Sequence, residues 1–154
     1  MSAKILLPLL FCAQFGLAHA APKEADCANQ AKAKQVMADL SKKQAEDQQA
    51  EMQRNEALHK LMEKNPALAK LGKEQRAKFL LGLMSKPEVK AIDAERQKVM
   101  ESMAQSVAEL SKDKKPDSAT ECKIMLKMAQ ISDKTRPLNL RQHALLEKEI
   151  NQAK

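Results

Sequence analysis

From Glu24 to Asn65 the chain contains neither proline nor glycine, and Ala, Lys, Gln, Glu, Leu and Met dominate the run. These side chains lose little freedom in a helix and do not compete for backbone hydrogen bonds, so a stretch of this length favours one regular structure. Val36, Met37, Leu40, Met52, Leu58, Leu61 and Met62 fall on one helical face with interruptions, which predicts a single long helix over Glu24 to Asn65. Its middle, Ser41 to Glu51, offers only Ala45 and Ala50 to a core. That stretch is expected to be solvated, or covered weakly by another segment.

The rest of the chain follows the same pattern. Asn65-Pro66 is a stop and restart: the residue before proline is pushed out of the α region, asparagine caps, and proline suits a first turn. A short helix to about Leu71 is predicted, then a turn closed by Gly72. Lys73 to Met84 forms a helix with Phe79, Leu80, Leu83 and Met84 as its apolar face. Ser85-Lys86-Pro87-Glu88 opens a long helix to about Lys112, whose Val89, Ile92, Arg96, Val99, Met103, Val107 and Leu110 step by three and four as a coiled-coil-like seam. Arg96 interrupts that seam and is expected to snorkel to its edge or to pair with an acid.

Lys112 to Asp117 reads as a turn, and Ser118 as the cap of a helix carrying Cys122, Met125, Leu126 and Ala129 that ends near Ser132-Asp133. Arg136-Pro137 reads as a break, with Asn139 capping a last helix through Leu140, Ala144, Leu146 and Ile150. No segment shows the two-residue alternation of a strand. The expected architecture is all-α: four to six helices in one domain over residues 21–154, an elongated bundle or hairpin with a long N-terminal helix. Beyond residue 20 there is no Trp or Tyr, one Phe and two glycines, so the core is expected to be thin and filled by Ala, Leu and Met.

Residues 1–20 read as a cleavable secretory leader. Met1 to Lys4 carry one positive charge, Ile5 to Leu17 are apolar apart from Gln14, and Ala18-His19-Ala20 puts small residues at the positions a signal peptidase reads. Cleavage is expected between Ala20 and Ala21. A membrane-spanning helix needs about 20 apolar residues, and this run is shorter and meets Pro22, Lys23, Glu24 and Asp26 at once. Lipoprotein processing at Cys12 would need a small preceding residue, and Phe11 is bulky. The short charged start and Ala-x-Ala end are bacterial in style, which makes the expected destination the periplasm or the medium.

Removing the leader discards Cys12 and leaves Cys27 and Cys122 in an oxidising compartment, where one disulfide between them is expected. Closing so long a loop is worth about 4 kcal/mol by chain entropy. Neither cysteine has a C-x-x-C partner that would mark a redox site.

Chemistry-bearing patterns are sparse. His59 and His143 are the histidines left after cleavage, and no Ser-His-acid, Cys-His or nucleophile-elbow arrangement surrounds them. Two glycines cannot build a phosphate-binding loop, and C-x-x-C-H is absent. No catalytic, cofactor-binding or metal-ligating residue is therefore assigned, and the chain is expected not to be an enzyme. Met100 with Met103, Cys122 with Met125 and Met128, and His59 with Met62 recur at helical spacing, which gives an alternative reading as a Met/His copper-binding protein. Core filling explains the same methionines. The formal net charge of +7 falls by one when Lys4 leaves, and Lys32 with Lys34 and Lys112 with Lys114 and Lys115 form local clusters. An anionic envelope surface would suit these clusters. Nucleic acid is not expected, because no aromatic stacking residues accompany them.

Leu71-Gly72-Lys73-Glu74-Gln75 resembles the L-T-x-x-Q motif of the Spy/CpxP periplasmic chaperone family, with Gly72 in place of Thr, and Leu40-Ser41-Lys42-Lys43-Gln44 is a looser second match. Leu110-Ser111-Lys112-Asp113-Lys114 lacks the Gln, and the two cysteines fall outside the motif. The resemblance implies an ATP-independent chaperone or envelope-stress protein whose cationic helical cradle holds unfolded clients on exposed Leu and Met. Together these readings describe an exported, non-enzymatic helical binding protein. The competing reading is a structural or interaction protein of the cell envelope.

Overall fold

The computed structural model describes residues 21–112 and 116–154. The expected leader, the Ala20 side of its cleavage bond, and Lys114 and Lys115 of the basic cluster lie outside the described residues. All regular structure among the described residues is helical. A 3₁₀ turn, Glu24–Ala28, precedes α1 (Gln30–Lys64), α2 (Pro66–Ala69), α3 (Lys73–Met84), α4 (Pro87–Leu110) and α5 (Ser118–Gln152).

The long first helix starts later than its composition suggests. Asn29 is extended, and its Oδ1 accepts from the N–H groups of Ala31 at 3.0 Å and Lys32 at 3.1 Å. This is the capping geometry that makes asparagine a strong helix starter, so the segment before it forms the 3₁₀ turn. At the other end Asn65 serves two helices. Its N–H closes α1 onto the Leu61 carbonyl at 3.0 Å, and its Oδ1 accepts from Ala67 and Leu68 at the start of α2. Its Nδ2 meanwhile donates to the Ile150 carbonyl at 2.7 Å and to the Ala153 carbonyl, tying this corner to the end of α5.

The expected break at Arg136-Pro137 does not occur: α5 runs unbroken from Ser118 to Gln152 with Pro137 inside it, and Asn139 is an interior residue rather than a cap. An internal proline costs about 3 kcal/mol. Leu126 on one side of it and Leu146 and Ile150 on the other are buried, and each stabilises by about 1.5–3 kcal/mol. Keeping both ends of α5 seated therefore outweighs the proline. The cap at its start is Asp117, not Ser118, with Oδ1 accepting from the Thr120 N–H at 2.7 Å. Hydrogen bonding from the Thr120 side chain, and next from its backbone N–H, holds the Asp117 carboxyl below its ordinary pKa.

α5 is the spine of the molecule. Asp133, His143 and Ile150 of α5 meet Lys43, Glu51 and Asn65 in the same order along the chain, so α1 and α5 are parallel. α4 packs along α5 in the opposite sense: Lys86 meets Glu149, and Glu95 meets Arg141. The α4 seam buries Val89, Ile92 and Met103. Arg96 in that seam pairs with Asp93 on its own helix at 2.9 Å and donates to Oε1 of the buried Gln142 on α5.

Two apolar clusters sit at opposite ends of the α1–α5 pair. One contains Cys27, Ala33, Val36, Leu40, Cys122 and Leu126, and the other Met62, Leu68, Leu83, Leu146 and Ile150, with Phe79 and Leu80 packed against it. The expected disulfide joins Cys27 to Cys122 at the centre of the first cluster, closing a separation of 95 residues. Neither cluster has a fully buried aromatic ring, so the covalent tie carries much of its end of the molecule. Replacing both cysteines, Cys27→Ala with Cys122→Ala, is expected to lower the unfolding free energy by about 2–4 kcal/mol. A urea titration followed by circular dichroism measures this as a fall in midpoint. Both half-cystines are 1% or less exposed, so reductant should act on the native wild type only as fast as that end opens.

Candidate binding groove

Between the two apolar clusters the α1–α5 contact continues, but its chemistry changes. On α1 the inward stripe of Ala33, Val36 and Leu40 goes on at the same spacing through Lys43, Asp47, Glu51 and Arg54 before Leu58 and Leu61 restore apolar character. On α5 it passes from Cys122 and Met125 through Ala129, Ser132, Arg136, Asn139 and His143 to Leu146. Two helices whose facing positions are long and polar cannot interdigitate as Leu and Ile do, and a groove of about 310 Å³ remains between them. Leu40, Met125, Met128 and Ala129 supply its apolar surface.

Its charged walls are paired across the groove. Lys43 Nζ lies 2.7 Å from Asp133 Oδ1, and Arg136 donates to Asp47 Oδ2 at 2.5 Å while also reaching Asp133 at 3.2 Å. His143 Nε2 meets Glu51 Oε1 at 2.7 Å, and Arg54 donates to Glu51 Oε2 at 2.8 Å. Nδ1 of His143 is buried without a hydrogen-bond partner among the described residues. Burial acts to raise the Glu51 pKa, but the hydrogen bonds and charges of His143 and Arg54 outweigh it, and the carboxyl sits below its ordinary value. Three carboxamides on the rim, Gln44, Gln48 and Asn139, make no side-chain hydrogen bond to the described residues.

The side chains singled out from sequence are only partly brought together. Met125 and Met128 line the groove, with Met128 51% exposed, while Cys122 is consumed by the disulfide. Met103 and Met62 are buried, whereas Met100 and His59 point outward. No three His, Cys, Asp or Glu side chains converge as a ligand set among the described residues. Of the two motif-like patches, Leu40 belongs to the disulfide cluster, and Leu71 to Gln75 forms the corner between α2 and α3. There the Gly72 N–H donates to Gln75 Oε1 at 3.2 Å, and Arg76 donates to the carbonyls of Leu68, Leu71 and Ala69. None of Asp47, Glu51, Arg54, Arg136 and His143 was assigned to a site from sequence: Asp47 and Glu51 fell in the stretch expected to be solvated or weakly covered, Arg136 at an expected break, and His143 in no catalytic arrangement. Their signal was the unbroken three-and-four spacing through a polar stretch, which on one helix alone reads as a solvated face.

No family model, curated protein or solved structure matches the chain.

The lowered Glu51 pKa has a direct consequence for stability. A carboxylate favoured in the folded state contributes fully above its unfolded pKa, and the contribution is lost as pH falls through the folded value. Glu51→Gln is therefore expected to destabilise the protein by about 1 kcal/mol near neutral pH, a modest figure because the pair is partly exposed. The difference should vanish once the medium is acidic enough to protonate Glu51 in the native wild type. Urea midpoints of the two proteins across that range measure it.

Proposed function

We propose that this chain is an exported, non-enzymatic binding protein that holds unfolded polypeptide segments in the α1–α5 groove, in the manner of an ATP-independent chaperone. The observation that carries the reading is the composition of that groove. Its apolar surface is half methionine, a flexible and polarisable side chain suited to clients of varied shape. Its wall charges are already paired with one another, so no lone charge selects an ionic small molecule. Its three carboxamides, without a side-chain hydrogen bond among the described residues, each offer N–H donors and an acceptor, as an unpaired peptide group does.

The dimensions suit such a client. Leu40 and Arg54 mark the two ends of the α1 wall, and a rise of about 1.5 Å per residue makes that wall about 20 Å long, so an extended segment can lie along it with a few of its side chains seated in the groove. Export is supported by the leader-like residues 1–20 and by the disulfide, a bond that persists in oxidising compartments. Among the described residues no helix is long and apolar enough to cross a membrane. The periplasm is the proposed location, in keeping with the bacterial style of the leader and with the resemblance to the Spy/CpxP family.

The test is suppression of aggregation. Oxidised protein added at about equimolar ratio to a chemically denatured model client should slow the rise of light scattering. Met128→Glu should weaken this several-fold while moving the unfolding free energy by no more than about 0.5 kcal/mol, since Met128 is an exposed position. Unchanged scattering even at a large excess of wild type would rule out the chaperone reading.

A further inference from the structure

Away from the groove, the corner where α3 meets α4 and α5 is short of hydrogen-bond acceptors. Gln142 of α5 is buried there, with 9% of its surface exposed. Its Oε1 accepts from Arg96 Nη2, and because a guanidinium has only donors, that contact fixes which way the amide faces. Nε2 is thereby turned onto Met84 in the last turn of α3, and it donates to the Met84 Sδ at 3.7 Å. Arg96 Nη1 reaches Asp93, while Arg96 Nε is buried with no partner among the described residues. A thioether is a weak acceptor, so a buried amide donor is left underserved.

The same sulfur is open to reagents. Met84 is 38% exposed, whereas Met62 and Met103 are buried. Met52, Met100 and Met128 are more exposed still, but among the described residues no donor faces their sulfurs. From these contacts we propose that Met84 is a methionine-sulfoxide site: a hydroperoxide oxidises its thioether, and the Gln142 amide holds the sulfoxide oxygen, so that oxidation leaves this corner intact or tightens it. Neither residue lines the groove, and the proposal is independent of client binding.

The chemistry balances with the hydroperoxide as the oxidant. A lone pair on Sδ attacks the terminal oxygen, the S–O bond forms as the O–O bond breaks, and sulfur gives up two electrons. The departing oxygen takes the proton of the transferred hydroxyl and leaves as an alcohol, or as water when the oxidant is hydrogen peroxide. At a packed methionine the new polar group disrupts its surroundings. At Met84, rotation about the bonds to sulfur brings the new oxygen to Nε2, exchanging a contact with sulfur for an amide N–H···O bond of about 2.9 Å. Gln142 covers one side of the sulfur, so attack from solvent favours one of the two sulfoxide epimers.

The test treats the full chain, expressed with its own leader and purified with the disulfide formed, with limiting hydrogen peroxide, and follows each methionine by peptide mass spectrometry. Met84 is expected to convert at least about tenfold faster than Met62 and Met103. For the stability measurement Met52, Met100 and Met128 are replaced by Leu, so that oxidation is confined to Met84. The urea midpoint of that protein should stay within about 0.2 M of its starting value or rise on oxidation. Gln142→Glu keeps an oxygen toward Arg96 but turns a second oxygen onto Met84, and in that background oxidation should lower the midpoint by about 0.5 M. The same fall in both backgrounds, or Met84 reacting no faster than the buried methionines, would overturn the proposal. If Gln142→Glu fails to fold, the epimer ratio decides. One epimer, measured with a reductase specific for it, should make up either at least about three-quarters or at most about one-quarter of the Met84 sulfoxide, against about half for Met52, and an even mixture at Met84 would overturn the proposal.

Discussion

Two parallel helices of 35 residues each cannot be joined by a short turn, because the end of one and the start of the next lie at opposite ends of the pair. The segment between α1 and α5 must travel the length of the molecule, and α4 does so, packing antiparallel on α5. The arrangement gives α5 two partners and makes it the element on which the others depend. It also sets a register problem, since no short connection holds the two parallel helices in step. The disulfide fixes the register at one end, and Asn65, bonded to the last turn of α5, fixes it at the other.

What lies between those ties follows from the same geometry. The facing stripes of α1 and α5 keep their spacing but exchange apolar residues for charged ones between Lys43 and Arg54. A continuous apolar seam would have stabilised the pair more, because desolvating charges costs much of what their attraction returns. The charged middle leaves a groove that a tight seam would close, lined by Met125 and Met128 and rimmed by the carboxamides of Gln44, Gln48 and Asn139. The proposed client binding depends on this concession in stability, made away from the two ends that hold the fold together.

Much of the fold was legible in the sequence. The proline-free and glycine-free run, the Pro66 and Pro87 restarts, the α4 seam and the pairing of Cys27 with Cys122 all follow from local preference or compartment chemistry. Three features were not. Asn29 looked like one polar residue in a long helix, since a cap is told from an interior position only by what its side chain meets. Pro137 looked like a break, because the burial that overrides it comes from Leu126, Leu146 and Ile150 packing on helices remote in sequence. The groove residues were hidden because Asp47 or Glu51 on α1 alone belongs to a solvated face, and becomes part of a seam only when Arg136 and His143 are set against it.

The central claim is that α1 and α5 are held firmly at their ends and loosely in the middle, and native-state hydrogen exchange resolved by residue addresses it directly. Near neutral pH, amides around residues 43–54 of α1 and 132–143 of α5 should open with free energies smaller by at least about 1 kcal/mol than those beside Cys27, Cys122, Met62 and Ile150. Uniform protection along both helices, or strongest protection at the centre, would contradict it.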